Sequence, residues 1–131
     1  MSKRSEHLFQ FKASQITEAC AREAKYHEER AAYWRDELEA ATTIVEETAG
    51  VEVKKQAITG GWRPEVVVHY GDPSAYARMQ EAWSKLNKHE EEAERFRTDE
   101  KVYDTQGDRT YELDTADVHY YRLGLEERVT V

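Results

Sequence analysis

The chain has 131 residues, 35% of them charged and 39% hydrophobic, with a formal net charge of −8. That length suits one domain, and the acidic balance works against non-specific binding to nucleic acid or to an anionic membrane. The apolar share lies below the usual globular value and suits a thin, well-solvated helical structure, while 11% aromatic residues argue against disorder.

Nothing interrupts a helix at the N-terminal end, because neither Gly nor Pro occurs between Met1 and Ala49. Steps of three and four link Ala13, Thr17, Cys20, Ala24, His27, Ala31, Trp34, Leu38, Ala41, Val45 and Thr48. A seam of this period marks a helix packed along its length against another, as in a coiled coil. From Ala13 to Thr48 it spans about 54 Å, more than the roughly 36 Å diameter of a compact globule of this chain length. An elongated molecule is therefore expected. The start falls near Glu6, with Ser5 or Ser14 as cap, and Gly50 closes the helix in the left-handed conformation. Cys20, the single cysteine, excludes an internal disulfide and reads as a small buried hydrophobe. Met1–His7 leads into no apolar stretch, so neither a leader nor a membrane span is expected, and the cytoplasm is the default location.

Val51 to Tyr70 reads as a β-hairpin turning on Gly60-Gly61, which sets residue 57 opposite 64 and 53 opposite 68. Val51, Val53, Ala57, Trp62, Val66, Val68 and Tyr70 then share one face, with Glu52, Lys54, Gln56, Arg63, Glu65 and His69 on the other. Lys55, Ile58 and Val67 break the pattern. A two-stranded ribbon is marginal in water, so the apolar face needs a neighbour. Asp72-Pro73 starts a second helix, with Asp as cap and Pro at the first helical position. Its seam reads Tyr76, Met79, Trp83, Leu86, Glu90, Ala93 and Arg97, with Phe96 beside it. Beyond it, Val102-Tyr103 and Tyr111–Leu113 flank Gln106-Gly107-Asp108 as a second small hairpin. Asp114 caps a short helix over Thr115–Leu123, closed by Gly124, with Val118, Tyr121 and Leu125 packing inward.

The expected fold is α+β and mainly α, a single elongated domain over residues 1–131. A long helix (1–50) and a second helix (72–98) form an antiparallel helical hairpin with a β-ribbon (51–71) at its tip. A small mixed C-terminal module, a β-hairpin plus a short helix, fills 99–131.

His27, inside an apolar seam, has to satisfy its ring nitrogens. Glu23 on its own helix, and His89 and Glu90 on the facing one, supply the material of a bundle-core metal site. The spacing lacks the Glu-x-x-His pairs of di-iron bundles, and nearby Arg30 disfavours a cation, so a buried polar layer with His27 on a carboxylate is the simpler reading. No metal or other cofactor is expected. Arg22-x4-His27 has the spacing of the Arg-x4–6-His motif of HEPN-type ribonucleases, where the arginine and histidine serve the scissile phosphate and proton transfer. That motif sits in all-helical domains, whereas this chain inserts a ribbon and is acidic. Tyr26 and Tyr33 add a second strip beside Trp34 and Leu38, too wide an apolar face for one partner helix. Together with Trp62, Val66 and Val68 they mark self-association surfaces. The resulting functional expectation is a non-enzymatic protein acting through protein–protein contacts, most simply a homodimer through the first helix. The run Glu90-Glu91-Glu92-x-Glu94 offers one alternative, an acidic antitoxin-like or inhibitor protein with a basic partner. A metal-dependent or HEPN-like nuclease is the other.

Overall fold

A computed structural model describes residues 7–130. The elements run β1 (Phe9–Lys12), α1 (Ala13–Thr48), β2 (Ala49–Ile58), β3 (Gly61–Tyr70), α2 (Pro73–Asp104), β4 (Thr110–Leu113) and α3 (Thr115–Tyr121), then a 3₁₀ turn at Leu125–Glu127. The fold is α+β: α1 packs on α2, and two small antiparallel sheets join β1 to β4 and β2 to β3. Contacts gather into two compact units, one joining the segment up to Glu29 with His89 and beyond, the other formed by Arg30–Lys88.

In the first unit Phe11, Ile16, Ala19, Cys20 and Ala24 pack with Phe96, Leu113, Val118 and Tyr121. Phe9 to Lys12 alternate apolar and polar, a period-2 pattern that suits a strand, and Phe11 is fully buried. They pair with Leu113 to Thr110, so α1 starts at Ala13 and not near Glu6. Ser14 lies inside the helix, and Ser5 and Glu6 fall outside the described residues. Gln15 Oε1 accepts the Lys12 N–H at 2.8 Å, the reach-back half of a capping box, and the Arg109 carbonyl accepts the Ala13 N–H at 2.8 Å. The expected second hairpin is replaced. Val102 and Tyr103 stay helical in α2, and β4 finds its partner about a hundred residues back in β1. The tail adds to β1 in turn, Val129 N–H donating to the Gln10 carbonyl at 2.7 Å. Asp114 caps α3 as expected, accepting from Asp117 N–H at 2.8 Å, but Arg122 and not Gly124 takes the left-handed closing position, at φ 53°. Leu125 is exposed, so of the three expected packing residues Val118 and Tyr121 are buried, with Tyr120 and Leu123 packed beside them.

In the second unit Ala31 and Trp34 of α1 pack with Ala82 and Leu86 of α2, and Leu38 lies half-buried against them. The buried positions of α2 are Ala75, Ala82, Leu86, Ala93 and Phe96, whereas Tyr76 and Trp83 are exposed. The α2 seam is thus turned by one position from the expected one at both places, because alanine lets two helices approach where tryptophan would hold them apart. Helix α1 gives way directly to β2 at Ala49, and Gly50 is an extended strand residue without positive φ. The sharp turn falls at Gly71, at φ 100°, where an added Cβ would meet the Val45 side chain and carbonyl at 3.0 Å. Beside it, Asp72 N–H donates to Thr48 Oγ1 at 2.7 Å, and Asp72 Oδ1 accepts from Ser74 N–H at 2.9 Å.

The ribbon register is offset by two residues from the expected one: Ala57 faces Trp62, Lys55 faces Pro64, Val53 faces Val66 and Val51 faces Val68. Pro64 supplies the reason. In the expected register residue 64 would occupy a hydrogen-bonded pair two steps from the turn, where its nitrogen has no proton to donate. With Thr59-Gly60 as the turn, Lys55–Pro64 becomes a non-hydrogen-bonded pair and the ladder is intact. A shift of two keeps every side chain on its face, so the expected apolar and polar faces survive the correction.

Candidate functional site

Three places gather the residues singled out in the sequence. The first is a histidine pair. His27 Nδ1 and His89 Nδ1 lie 2.9 Å apart, one ring donating and the other accepting. His27 is half-buried, stacks on Phe96 with centroids 5.7 Å apart, and meets Tyr26 edge-on at 5.1 Å. The partner of His27 is thus a second histidine and not the expected carboxylate. Glu23 is buried and lies 3.8 Å from both Arg22 and Arg122, while Glu90 is exposed. Among the described residues no three His, Cys, Asp or Glu side chains gather as metal ligands.

Arg22 and His27 are not brought together. Five positions apart on a helix, they point about 140° from each other. Arg22 Nη2 donates to the carbonyls of Arg122 at 3.0 Å and Tyr121 at 3.4 Å, fastening the end of α3. Cys20 is fully buried, and that burial, reinforced by Asp99 and Glu100, pushes its thiol up to about 12 from 9.0 and disfavours the thiolate. Tyr121 is buried and donates to Asp99 Oδ2 at 3.0 Å, and burial first of all raises its phenol above the ordinary range.

The second place is an aromatic layer at Trp34. Its indole is buried, with the guanidinium groups of Arg78 and Arg30 at 4.9 and 5.9 Å from the ring centroid, and Arg30 also covers Tyr33 at 4.8 Å. Arg78 is held by Glu37 at 2.9 Å and Glu81 at 3.3 Å. Trp34 is therefore covered within its own chain, and Tyr26 and Tyr33 stay exposed. An open apolar groove lined by Leu38, Thr42, Met79, Gln80 and Trp83 lies beside this layer.

The third place is the ribbon. Every residue of β2 is exposed, and so is every residue of β3 except the half-buried Val67. Trp62 is 69% exposed, Val66 62%, Val68 47% and Tyr70 82%, with Val51 and Val53 equally open. On the opposite face His69 meets Glu52 at 3.2 Å and Arg63 meets Gln56 at 3.2 Å. Glu52 and Lys54 lie on the polar face as the sequence pattern places them, but the edge of β2, which among the described residues pairs with no third strand, was not read from the sequence. The unbroken run 49–58, without a proline, was the available signal.

No protein-family profile, curated protein or solved structure matches this chain. Among the described residues no helix is long and apolar enough to cross a membrane.

Proposed function

We propose that this chain is a non-enzymatic protein that works through protein–protein contacts, and that its first partner is a second copy of itself, met through the ribbon. In this reading α1 and α2 run antiparallel as a hairpin with the ribbon at its tip. Contacts that climb α1 while descending α2 support it, from Trp34 with Leu86 and Ala82, through Glu37 with Arg78, to Val45 with Gly71.

The observation that carries the proposal is the exposed apolar face of Val51, Val53, Trp62, Val66, Val68 and Tyr70. Two strands without a covering layer are marginal in water, and apolar clusters of this kind mark contact sites. The ribbon, not the strip on α1, is the main contact, since α2 already covers Trp34. A second copy suits the site better than a basic partner, because the apolar face carries no acid and the polar face mixes Glu52, Lys54, Arg63 and Glu65. Light scattering at micromolar concentration tests this. A mass near twice 15.3 kDa, lowered to one chain by Val53→Asp with helix content unchanged, is the expected result. A wild-type mass near 15.3 kDa overturns it.

A further inference from the structure

We infer that two copies join edge to edge through β2, forming one four-stranded antiparallel sheet in the order β3–β2–β2–β3 with a two-fold axis at Val53. This rests on the self-association proposed above and specifies its geometry.

The two edges of the ribbon are unequal. Residues 51, 53, 55 and 57 of β2 and 62, 64, 66 and 68 of β3 occupy non-hydrogen-bonded pairs, so their backbone N–H and C=O groups point away from the ribbon. On the β3 edge one of these nitrogens is Pro64, which has no proton, and a proline there blunts a strand against further pairing. On β2 the same positions are Val51, Val53, Lys55 and Ala57, every one a donor. Among the described residues no other strand pairs with that edge.

Charge selects the register. An antiparallel β2–β2 pairing must match outward-pointing residues with each other, so its centre moves in single steps along the strand. Centred on Glu52 it sets that carboxylate against its own copy, and centred on Lys54 it sets lysine against lysine. Centred on Val53 it places Glu52 of each copy across from Lys54 of the other, an opposite-charge pair made twice. Val53 then meets its own copy, and Lys55 lies across from the partner's Val51, its stem over the valine and its ammonium in water. About ten interchain hydrogen bonds close the ladder.

Stacking the two apolar faces on each other fits less well. Lys55 sits in the middle of that face beside Pro64, and stacking would bury two lysines with no acid to meet them. Edge pairing raises the strand count above the two at which a sheet is marginal.

Cysteine cross-linking of the full chain decides the matter. Native Cys20 is fully buried and does not compete. In the inferred register the Val53 Cα atoms lie about 5.5 Å apart, within disulfide range, whereas the Val51 atoms are separated by about 13 Å along the strand. Val53→Cys should give a covalent dimer under mild oxidation, and Val51→Cys should not. As a second readout, Glu52→Lys should weaken the dimer about fivefold and Lys54→Glu in the same chain should restore it. A wild-type dimer with no cross-link at residue 53, or with an equal one at 51, overturns the edge pairing and leaves self-association in place. A monomeric wild type removes both.

Discussion

The two sheets of this chain have the same architecture, two antiparallel strands, and opposite surroundings. In the first unit β1 and β4 lie against Ile16, Val118 and Tyr121, and the tail bonds to β1 through Val129. In the second unit β2 and β3 are longer and exposed on both faces, and among the described residues no third strand pairs with β2. An isolated two-stranded sheet is marginal in water, so the first has its cover within the chain, whereas the second finds it, on the proposal above, in a second copy. Large side chains follow the same division. Phe9 and Phe11 are drawn inward in β1, while Trp62 and Tyr70 are left outside in β3.

The widest gap between the regions should appear on truncating one apolar side chain in each. Phe96 is buried against His27, Tyr120 and Tyr121, so Phe96→Ala should cost about 3–5 kcal/mol in denaturant unfolding. Val66→Ala in the exposed ribbon should cost under about 0.5 kcal/mol at concentrations where the chain is monomeric. Equal losses at both positions would mean that the ribbon is covered within its own chain.

Cys20 sharpens the same contrast through pH. Its thiol titrates near 12 in the folded protein and near 9.0 unfolded, so the folded state binds its proton more tightly. The stability from the neutral thiol is complete below pH 9 and is lost as pH rises toward 12. Cys20→Ala should flatten that part of the stability curve. A thiol reagent should label Cys20 at pH 8 only at the rate of unfolding, whereas Val53→Cys should label at once.

Next in size is the joint that launches the ribbon. Gly71 combines a φ of 100° with a 3.0 Å approach of any added Cβ to the Val45 side chain and carbonyl. Gly71→Ala should therefore cost about 2 kcal/mol. Gly50→Ala, in extended backbone with open space around it, should be neutral or mildly stabilising. Comparing the two melting curves checks which glycine makes the turn.

These positions also show what was legible in the sequence. The seam of α1 was readable because one rule, steps of three and four, covers 36 residues, and Ala13, Cys20, Ala24, Ala31, Trp34 and Ala41 are buried as that rule requires. The ribbon's faces were readable for a similar reason, since period-2 patterning survives a register error of two. Pairing across distance was not. Nothing near Thr110–Leu113 announces that its partner is Phe9–Lys12, and the nearer Val102-Tyr103 offered a cheaper turn. The hydrogen-bond partner of His27 was legible only as a need. Which facing side chain meets it depends on helix rotation to within one residue, and the α2 seam was misread by that amount at Trp83.

The histidine layer gives the next smaller effect. His27→Ala removes the 2.9 Å bond to His89 and the stack on Phe96, and should cost about 1 kcal/mol. His27→Gln, which keeps a donor and an acceptor, should recover part of that loss. A full recovery would assign the effect to the hydrogen bond and none of it to the ring.

The smallest effect expected is at the ion pairs that link α1 to α2, one within each unit. In the first unit Glu28 takes Arg97 through both oxygens, at 2.7 and 3.1 Å, and in the second Glu37 takes Arg78 at 2.9 Å. The hydrogen bonds from Arg97 hold the Glu28 carboxyl below its ordinary 4.5. Its contribution is therefore complete above pH 4.5 and fades as pH falls through the lowered value. Both side chains are well exposed, so water and salt screen the pair, and Glu28→Gln should cost less than about 1 kcal/mol. Raising the ionic strength to about 1 M shortens the screening length to roughly 3 Å and should shrink that cost further. Arg78 differs in one respect, because its guanidinium also covers the Trp34 ring. Arg78→Gln should therefore lose more than Glu28→Gln and keep most of the loss in high salt, since stacking on a buried indole is shielded where an exposed carboxylate is not. Equal losses that vanish together in salt would show that the Arg78–Trp34 stack contributes nothing.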